Sequence, residues 1–202
     1  MEIITLFTTL TVPGGRLVNR SHSMLTVQNS VLLVVDVQER LFPLVHQKEN
    51  LLKNLTNIIK SAQILGVPIL WTEQAPQKIG KTISFISGLL NDLKPIEKVT
   101  FSCCGDVNFV SSLGVLERRQ ILLTGIEAHV CVYQTAQDLI RLGYDVYAVA
   151  DAISSRTAEN KQIGLERIRE SGGSITSTET AVCELLKVAE GEKFKEIIKL
   201  IK

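Results

Sequence analysis

The sequence predicts an α/β protein with a three-layer, Rossmann-like fold, in which a six-stranded, mainly parallel sheet carries helices on both faces. Short apolar runs alternate with amphipathic segments six times, which is typical of parallel strands joined by crossover helices. The first run is apolar and β-branched, as in a strand covered on both faces. The strands are predicted at residues 31–35, 68–71, 95–99, 120–124, 145–150 and 174–177.

The helices are predicted between these strands from their apolar periodicity. In the first helix, apolar residues recur every three or four positions from Leu51 to Leu65, and Gly66 followed by Pro68 ends it. The helix that begins at Cys131 is expected to end at Gly143, where a left-handed cap is favourable. The other helices are predicted at residues 83–93, 106–116, 157–171 and 178–189, with a short amphipathic helix at the C-terminal end.

Residues 1–23 differ from the rest of the chain. They show no clear periodicity and contain the break Pro13-Gly14-Gly15. We interpret them as an N-terminal extension that is poorly ordered, and residues 24–202 as a single domain of a cytoplasmic protein. Because the extension has few acidic residues and scattered arginines, a mitochondrial transit peptide is the alternative interpretation.

Composition narrows the possible partners. The chain is 45% apolar and 21% charged with a net charge of +1, which predicts neither nucleic acid nor an acidic membrane as a partner. No apolar run approaches the ~20 residues that span a bilayer. The four cysteines form no C-x-x-C pair and are predicted to be free thiols. No histidine stands at ligand spacing after the second strand and no glycine-rich nucleotide motif occurs, so no metal or cofactor is predicted.

Three reactive side chains stand at the carboxyl ends of predicted strands. Asp36 follows the first strand, Lys98 lies at the end of the third, and Cys131 begins the helix after the fourth. Because folds of this class bind ligands outside the carboxyl ends of their strands, we expect the three side chains to converge. A carboxylate can accept the proton of a thiol, while a lysine and a helix start favour the thiolate.

Each of these residues also has an ordinary structural interpretation. Asp36 could cap a helix, Lys98 could be a solvated surface residue, and Cys131 could be a small buried apolar residue. Their joint placement favours a reactive site, and the partner is then a small-molecule substrate. We predict Gln38, Trp71 and Tyr133 as the substrate-binding wall of the pocket.

The chain resembles the isochorismatase-like cysteine hydrolases over residues 28–202. The shared segments are residues 35–38, 97–98, 101–102 and 125–132. Within that family, the chain is similar to isochorismatase domain-containing proteins at residues 72–74, 151–156 and 194–197.

The resemblance implies a catalytic triad of Asp36, Lys98 and Cys131. It also implies a cis peptide bond between Ile126 and Glu127, with the amides of Glu127 and Cys131 directed at an oxyanion. The implied reaction is hydrolysis of a small amide or related C–N substrate through a thioester, and homo-oligomerisation is implied as well. Nicotinamidases carry metal ligands where this chain has Glu73-Gln74, so neither nicotinamide nor zinc is expected.

Two functions other than hydrolysis are conceivable for a chain of this fold class, a binding or scaffold protein and a phosphoacceptor switch. The turn Glu127-Ala128-His129 differs from the Thr-Asp pair of nicotinamidases, which motivates a catalytically weak binding or scaffold protein as the alternative. A phosphoacceptor switch is disfavoured, because Asp36 stands alone where such proteins have an acidic cluster. His129 is disfavoured as the base, because it lies inside the turn.

Overall fold

The computed structural model describes residues 23–201, so the prediction for the N-terminal extension falls almost entirely outside the described residues. The six strands form one sheet in the order β3-β2-β1-β4-β5-β6, and every neighbouring pair is parallel. This confirms the predicted fold class. The strands are β1 (Ser30–Val35), β2 (Ile69–Gln74), β3 (Ile96–Lys98), β4 (Gln120–Ile126), β5 (Asp145–Ser154) and β6 (Ser174–Thr176).

Eight α-helices connect or follow these strands within the described residues. Three of the helices begin where a side chain caps the first turn: Asp106 accepts from two backbone amides, and Thr157 and Ser177 each accept from one. Helix α1 ends at Gly66, which has a φ of 76°. The helices are α1 (Lys48–Leu65), α2 (Pro76–Ile79), α3 (Ser84–Ser87), α4 (Val107–Val115), α5 (Tyr133–Arg141), α6 (Ala158–Glu170), α7 (Thr178–Leu186) and α8 (Gly191–Ile201).

Two apolar cores lie on opposite faces of the sheet. Successive side chains of β1 point to opposite faces, so Leu32 and Val34 pack in the core with α1, α7 and α8, whereas Val31, Leu33 and Val35 pack in the core with α4, α5 and α6. All six residues of β1 are buried. Within residues 23–201, no helix has the length and apolar character needed to cross a membrane.

The structure corrects several predicted boundaries. Three strands run further than their apolar runs: β2 continues to Gln74, β4 to Ile126 and β5 to Ser154. In β2 the ladder continues through three polar residues, and in β4 and β5 it continues past Gly125 and Asp151, which interrupt the apolar runs. The predicted helix at 83–93 is replaced by α3 and a short 3-10 helix, Gly88–Leu90, because Gly88 is a poor residue for a helix interior.

Candidate active site

A buried ion pair joins the ends of two strands at the carboxyl edge of the sheet. Lys98 Nζ donates to Asp36 Oδ2 at 2.7 Å, and both side chains have 0% exposure. Because β2 lies between β1 and β3, the Lys98 side chain reaches across the end of β2 to the aspartate. Buried ions are costly unless they are paired and their remaining hydrogen-bonding groups are satisfied.

The end of β2 supplies the missing hydrogen bonds. Thr72 Oγ1 donates to Asp36 Oδ1 at 2.7 Å, and Gln74 Oε1 accepts from Lys98 Nζ at 2.8 Å. The backbone carbonyls of residues 100 and 101 also accept from Lys98 Nζ, each at 3.2 Å. Thr72 and Gln74 therefore position the ion pair. The sequence analysis includes Thr72 and Gln74 only as members of the segment 72–74. Their two-residue spacing on a strand would have placed both side chains on one face of the sheet.

The backbone at Asp36 directs this carboxylate away from the strand. Asp36 has a φ of 49°, a left-handed conformation that aspartate adopts more readily than most residues, and it ends β1 at Val35. Gln38 follows as a fully buried residue whose amide group binds the backbone N–H and C=O of Gln74 and the C=O of Gly80. Gln38 thus secures the strand end that carries Gln74.

Cys131 lies in a widened helical turn that follows β4. The peptide bond between Ile126 and Glu127 is cis. The amide of Val132 then donates to the carbonyl of Glu127 across five residues, so Ala128–Val132 forms a π-helical turn before α5. The helical segment therefore begins ahead of Cys131, and the cysteine lies within the turn rather than at its first residue.

Helix α6 packs directly against this turn. Gly164 approaches so closely that a Cβ placed on it would stand 2.5 Å from the carbonyl carbon and oxygen of Ala128. Only a residue without a side chain permits this contact. His129, next along the turn, lies with Nδ1 at 3.0 Å from Ser155 Oγ. The backbone that carries Cys131 is therefore held from two sides.

The Cys131 thiol lies in the field of the buried ion pair. Burial raises the pKa of this thiol, the charge of Asp36 and a hydrogen bond with Asp36 raise it further, and the charge of Lys98 acts in the opposite direction. The net direction is thus opposite to the thiolate that the sequence position favours. Burial and the nearby carboxylate outweigh the lysine, so the thiol keeps its proton beside a group that can accept it.

A cavity of about 420 Å³ opens beside the sulfur. Its polar lining includes Gln74, Lys78 and Glu127, and Glu127 Oε1 accepts from Arg156 Nε at 2.9 Å. The rest is mainly apolar: Leu41, Ala75, Ile79, Val99, Phe101 and Val130. Such a lining suits a small, largely apolar molecule with one polar group at the sulfur.

The structure places none of the three predicted wall residues in this lining. Trp71 points to the other face of the sheet, because it alternates with Thr72 along β2. Gln38 is buried among backbone groups. Tyr133 faces α6, where its hydroxyl accepts from Arg167 Nη2 at 2.8 Å and its ring lies 4.7 Å from that guanidinium.

Known proteins resemble this chain in both sequence and fold. The isochorismatase domain profile matches residues 30–180. A Phytophthora sojae protein named "Secreted isochorismatase effector Isc1" is 42% identical over 86% of this chain and 85% of its own length. "Isochorismatase domain-containing protein 2" of Danio rerio is 36% identical over 88% and 89%. The solved "MAR1 Ribonuclease from Caenorhabditis elegans" superposes with a TM-score of 0.83 at 32% identity, covering 89% of this chain and 92% of the other.

The fold and the relatives together indicate the class of this protein. It is an α/β protein of the hydrolase type, with its candidate site at the carboxyl ends of a parallel sheet. The profile covers most of the chain, and several relatives exceed 30% identity over more than four fifths of it. The chain belongs to the isochorismatase domain family. Among residues 23–201, no group of three or more His, Cys, Asp or Glu side chains is arranged to hold a metal ion.

Proposed function

We propose that the protein is a cysteine hydrolase that cleaves a small amide or a related C–N bond. Cys131 is the nucleophile, Asp36 the general base and acid, and Lys98 the cation that pairs with Asp36 and orients it. The observation that carries this proposal is the fully buried carboxylate of Asp36, which is paired with Lys98 at 2.7 Å and whose charge raises the pKa of the Cys131 thiol. The three residues are the triad that the family resemblance implies.

In the first half-reaction, Asp36 accepts the thiol proton as Sγ attacks the carbonyl carbon of the substrate. A C–S bond forms and the carbonyl electron pair moves to oxygen, where the amides of Glu127 and Cys131 stabilise the negative charge. The C–N bond then breaks, and Asp36 returns its proton to the departing nitrogen. Because the pKa of the thiol is raised, transfer of its proton to Asp36 is coupled to formation of the C–S bond.

In the second half-reaction, water attacks the thioester carbon and passes a proton to Asp36. The C–S bond breaks, a carboxylic acid leaves, and Asp36 returns the proton to the sulfur of Cys131. Throughout the cycle, Lys98 and Thr72 hold the carboxylate oriented by hydrogen bonds to its two oxygens. The reaction thus needs no group beyond the chain, the substrate and water.

The cavity restricts the substrate class. A volume of about 420 Å³ and a mainly apolar lining favour a small acyl group with little charge. The Glu127–Arg156 pair stands at the polar part of this lining and is the candidate for recognition of a substituent. A homo-oligomer, a metal-independent reaction and a cytoplasmic location remain predictions.

The test combines turnover with capture of the intermediate. Small apolar primary amides are incubated with the protein, ammonia release is followed, and acid-quenched samples are analysed by intact mass and peptide mapping. We expect an acyl adduct on the peptide that contains Cys131, and loss of turnover in Cys131→Ala. Cys183→Ala is the matched control, because Cys183 is an exposed free cysteine on α7.

Three outcomes would change the proposal. If Cys131→Ala keeps full turnover, Cys131 is not the nucleophile. If no amide gives turnover or an adduct, the binding or scaffold alternative is favoured. Because the Caenorhabditis elegans relative is named a ribonuclease, a single-stranded RNA belongs in the substrate panel. Cleavage of RNA without any turnover of amides would replace the proposed substrate class.

A further inference from the structure

A second cavity lies on the other side of β2 from the Cys131 cavity. It has a volume of about 460 Å³, and its lining includes Trp71, Glu73 and Thr82. Alternation along β2 explains the separation: Thr72 and Gln74 contact the Asp36–Lys98 pair, whereas Trp71 and Glu73 point the opposite way. No residue of the proposed catalytic mechanism lines this cavity.

Glu73 places a carboxylate in this cavity without a cationic partner. The residue is 3% exposed, and its Oε1 accepts from the Thr82 amide at 2.7 Å. No ion pair within residues 23–201 involves Glu73. Its direct neighbour across the ladder is Glu97, so two like charges stand side by side, and Glu39 lines the same cavity. A buried carboxylate beside like charges is costly unless a cation balances it.

Two neutral polar groups of the same lining also lack partners. Trp71 Nε1 and Thr82 Oγ1 are buried and form no hydrogen bond with the described part of the chain. Their residues are 5% and 4% exposed, respectively. Buried donors and acceptors are almost always satisfied, so two unsatisfied atoms on residues of one cavity lining point to a ligand there. The indole N–H can only donate, so its partner must carry an acceptor.

We propose that this cavity binds a small primary amine that also carries a neutral hydrogen-bond acceptor, such as a hydroxyl group. The ammonium group pairs with Glu73 and can lie against the Trp71 ring, and the acceptor receives the indole N–H. The lining sets Glu39, Glu73 and Glu97 against Lys81, which favours a cation. An organic cation fits better than a metal ion, because no three ligating side chains come together within residues 23–201.

The fluorescence of Trp71 reports on binding directly, because it is the only tryptophan in the sequence. Three probes with equal numbers of heavy atoms are titrated into the full chain: 4-amino-1-butanol, 1,4-butanediol and pentylamine. The amino alcohol is expected to give a saturable change with the tightest binding. The diol lacks the charge, so it should bind at least about tenfold more weakly, which is the effect of losing a charged hydrogen bond. Pentylamine lacks the acceptor, so it should also bind more weakly than the amino alcohol.

Glu73→Gln provides the matched variant, because the glutamine oxygen can still accept from the Thr82 amide. We expect it to weaken binding of the amino alcohol by about tenfold or more and to leave binding of the diol unchanged. Glu196→Gln, an exposed position on α8, removes one charge elsewhere and should not alter binding. The proposal is overturned if wild-type protein gives no saturable change with the amino alcohol, if the diol binds equally well, or if Glu73→Gln binds like wild type.

Discussion

The two sides of β2 handle buried charge in opposite ways. On one side, Asp36 and Lys98 form a pair at 2.7 Å, and Thr72 and Gln74 complete their hydrogen bonds. On the other side, Glu73 is also buried but has no cationic partner among residues 23–201, and neighbouring polar atoms are unpaired. A single strand therefore supports a closed network and an open one, because its side chains alternate between faces.

The difference indicates what each side is built to do. A fully satisfied network holds its members rigidly, which suits groups that must transfer a proton at a defined distance. A network that lacks a counter-charge and an acceptor suits recognition, because a ligand can supply both. Substitutions on each side of β2 and in the turn before Cys131 test this contrast.

Asp36→Asn should have opposite effects on amide turnover and on alkylation of the Cys131 thiol. We expect amide turnover to fall about 100- to 10,000-fold, because the general base is lost. Alkylation of Cys131 by iodoacetamide should become faster at pH 8, because removal of the carboxylate charge lowers the raised pKa of the thiol. The measurements are kcat/KM and the pH midpoint of alkylation at Cys131, read by peptide mapping.

Asp92→Asn, at an exposed position, is the control for both measurements. A midpoint in Asp36→Asn that is equal to or higher than that of wild type would mean that Asp36 does not raise the pKa of the thiol. Unchanged turnover with a lowered midpoint would keep the electrostatic role of Asp36 and remove its role as the base.

Lys98→Met should destabilise the fold far more than Glu73→Gln. The first change leaves the fully buried Asp36 unpaired, and loss of one partner of a buried ion pair costs about 3–5 kcal/mol. The second removes a charge that already lacks a partner, so we expect a change in the free energy of unfolding below about 1 kcal/mol. Urea unfolding at pH 7 measures both variants.

The double variant Lys98→Met with Asp36→Asn sharpens this comparison. Removal of both charges should recover part of the lost stability, because no uncompensated charge then remains buried. If Glu73→Gln costs as much as Lys98→Met, the two sides of β2 do not differ in the way described. If the double variant is no more stable than Lys98→Met, the cost arises from packing rather than from charge.

Gly164→Ala tests how tightly the turn before Cys131 is held. The added Cβ would stand 2.5 Å from the Ala128 backbone, and overpacking of this kind costs about 1–3 kcal/mol. Amide turnover should fall with it, because the turn carries the nucleophile. Gly114→Ala in α4 meets no atom within 4 Å and should be neutral or stabilising by up to about 1 kcal/mol. Equal effects of the two changes in urea unfolding would argue against a close helix–turn contact.

Much of this architecture was predictable from the chain. The succession of strands and the parallel sheet followed from apolar runs that alternate with amphipathic segments. Asp36, Lys98 and Cys131 could be named as candidates because all three stand at or just beyond strand ends. The wall residues were not found. Gln38, Trp71 and Tyr133 are close to the site in sequence, but the face to which a side chain points depends on strand register and helix packing.

The sequence alone determined the fold class, the family and the residues available for chemistry, because periodicity and motif spacing are local properties. Tertiary structure decided which of those residues share a face and what their surroundings do to their charge. It brought Lys98 across β2 to Asp36, and it buried Cys131 so that its pKa rises although its position favoured a thiolate. Both results depend on desolvation and on distances between segments far apart in the chain, which local patterns do not encode.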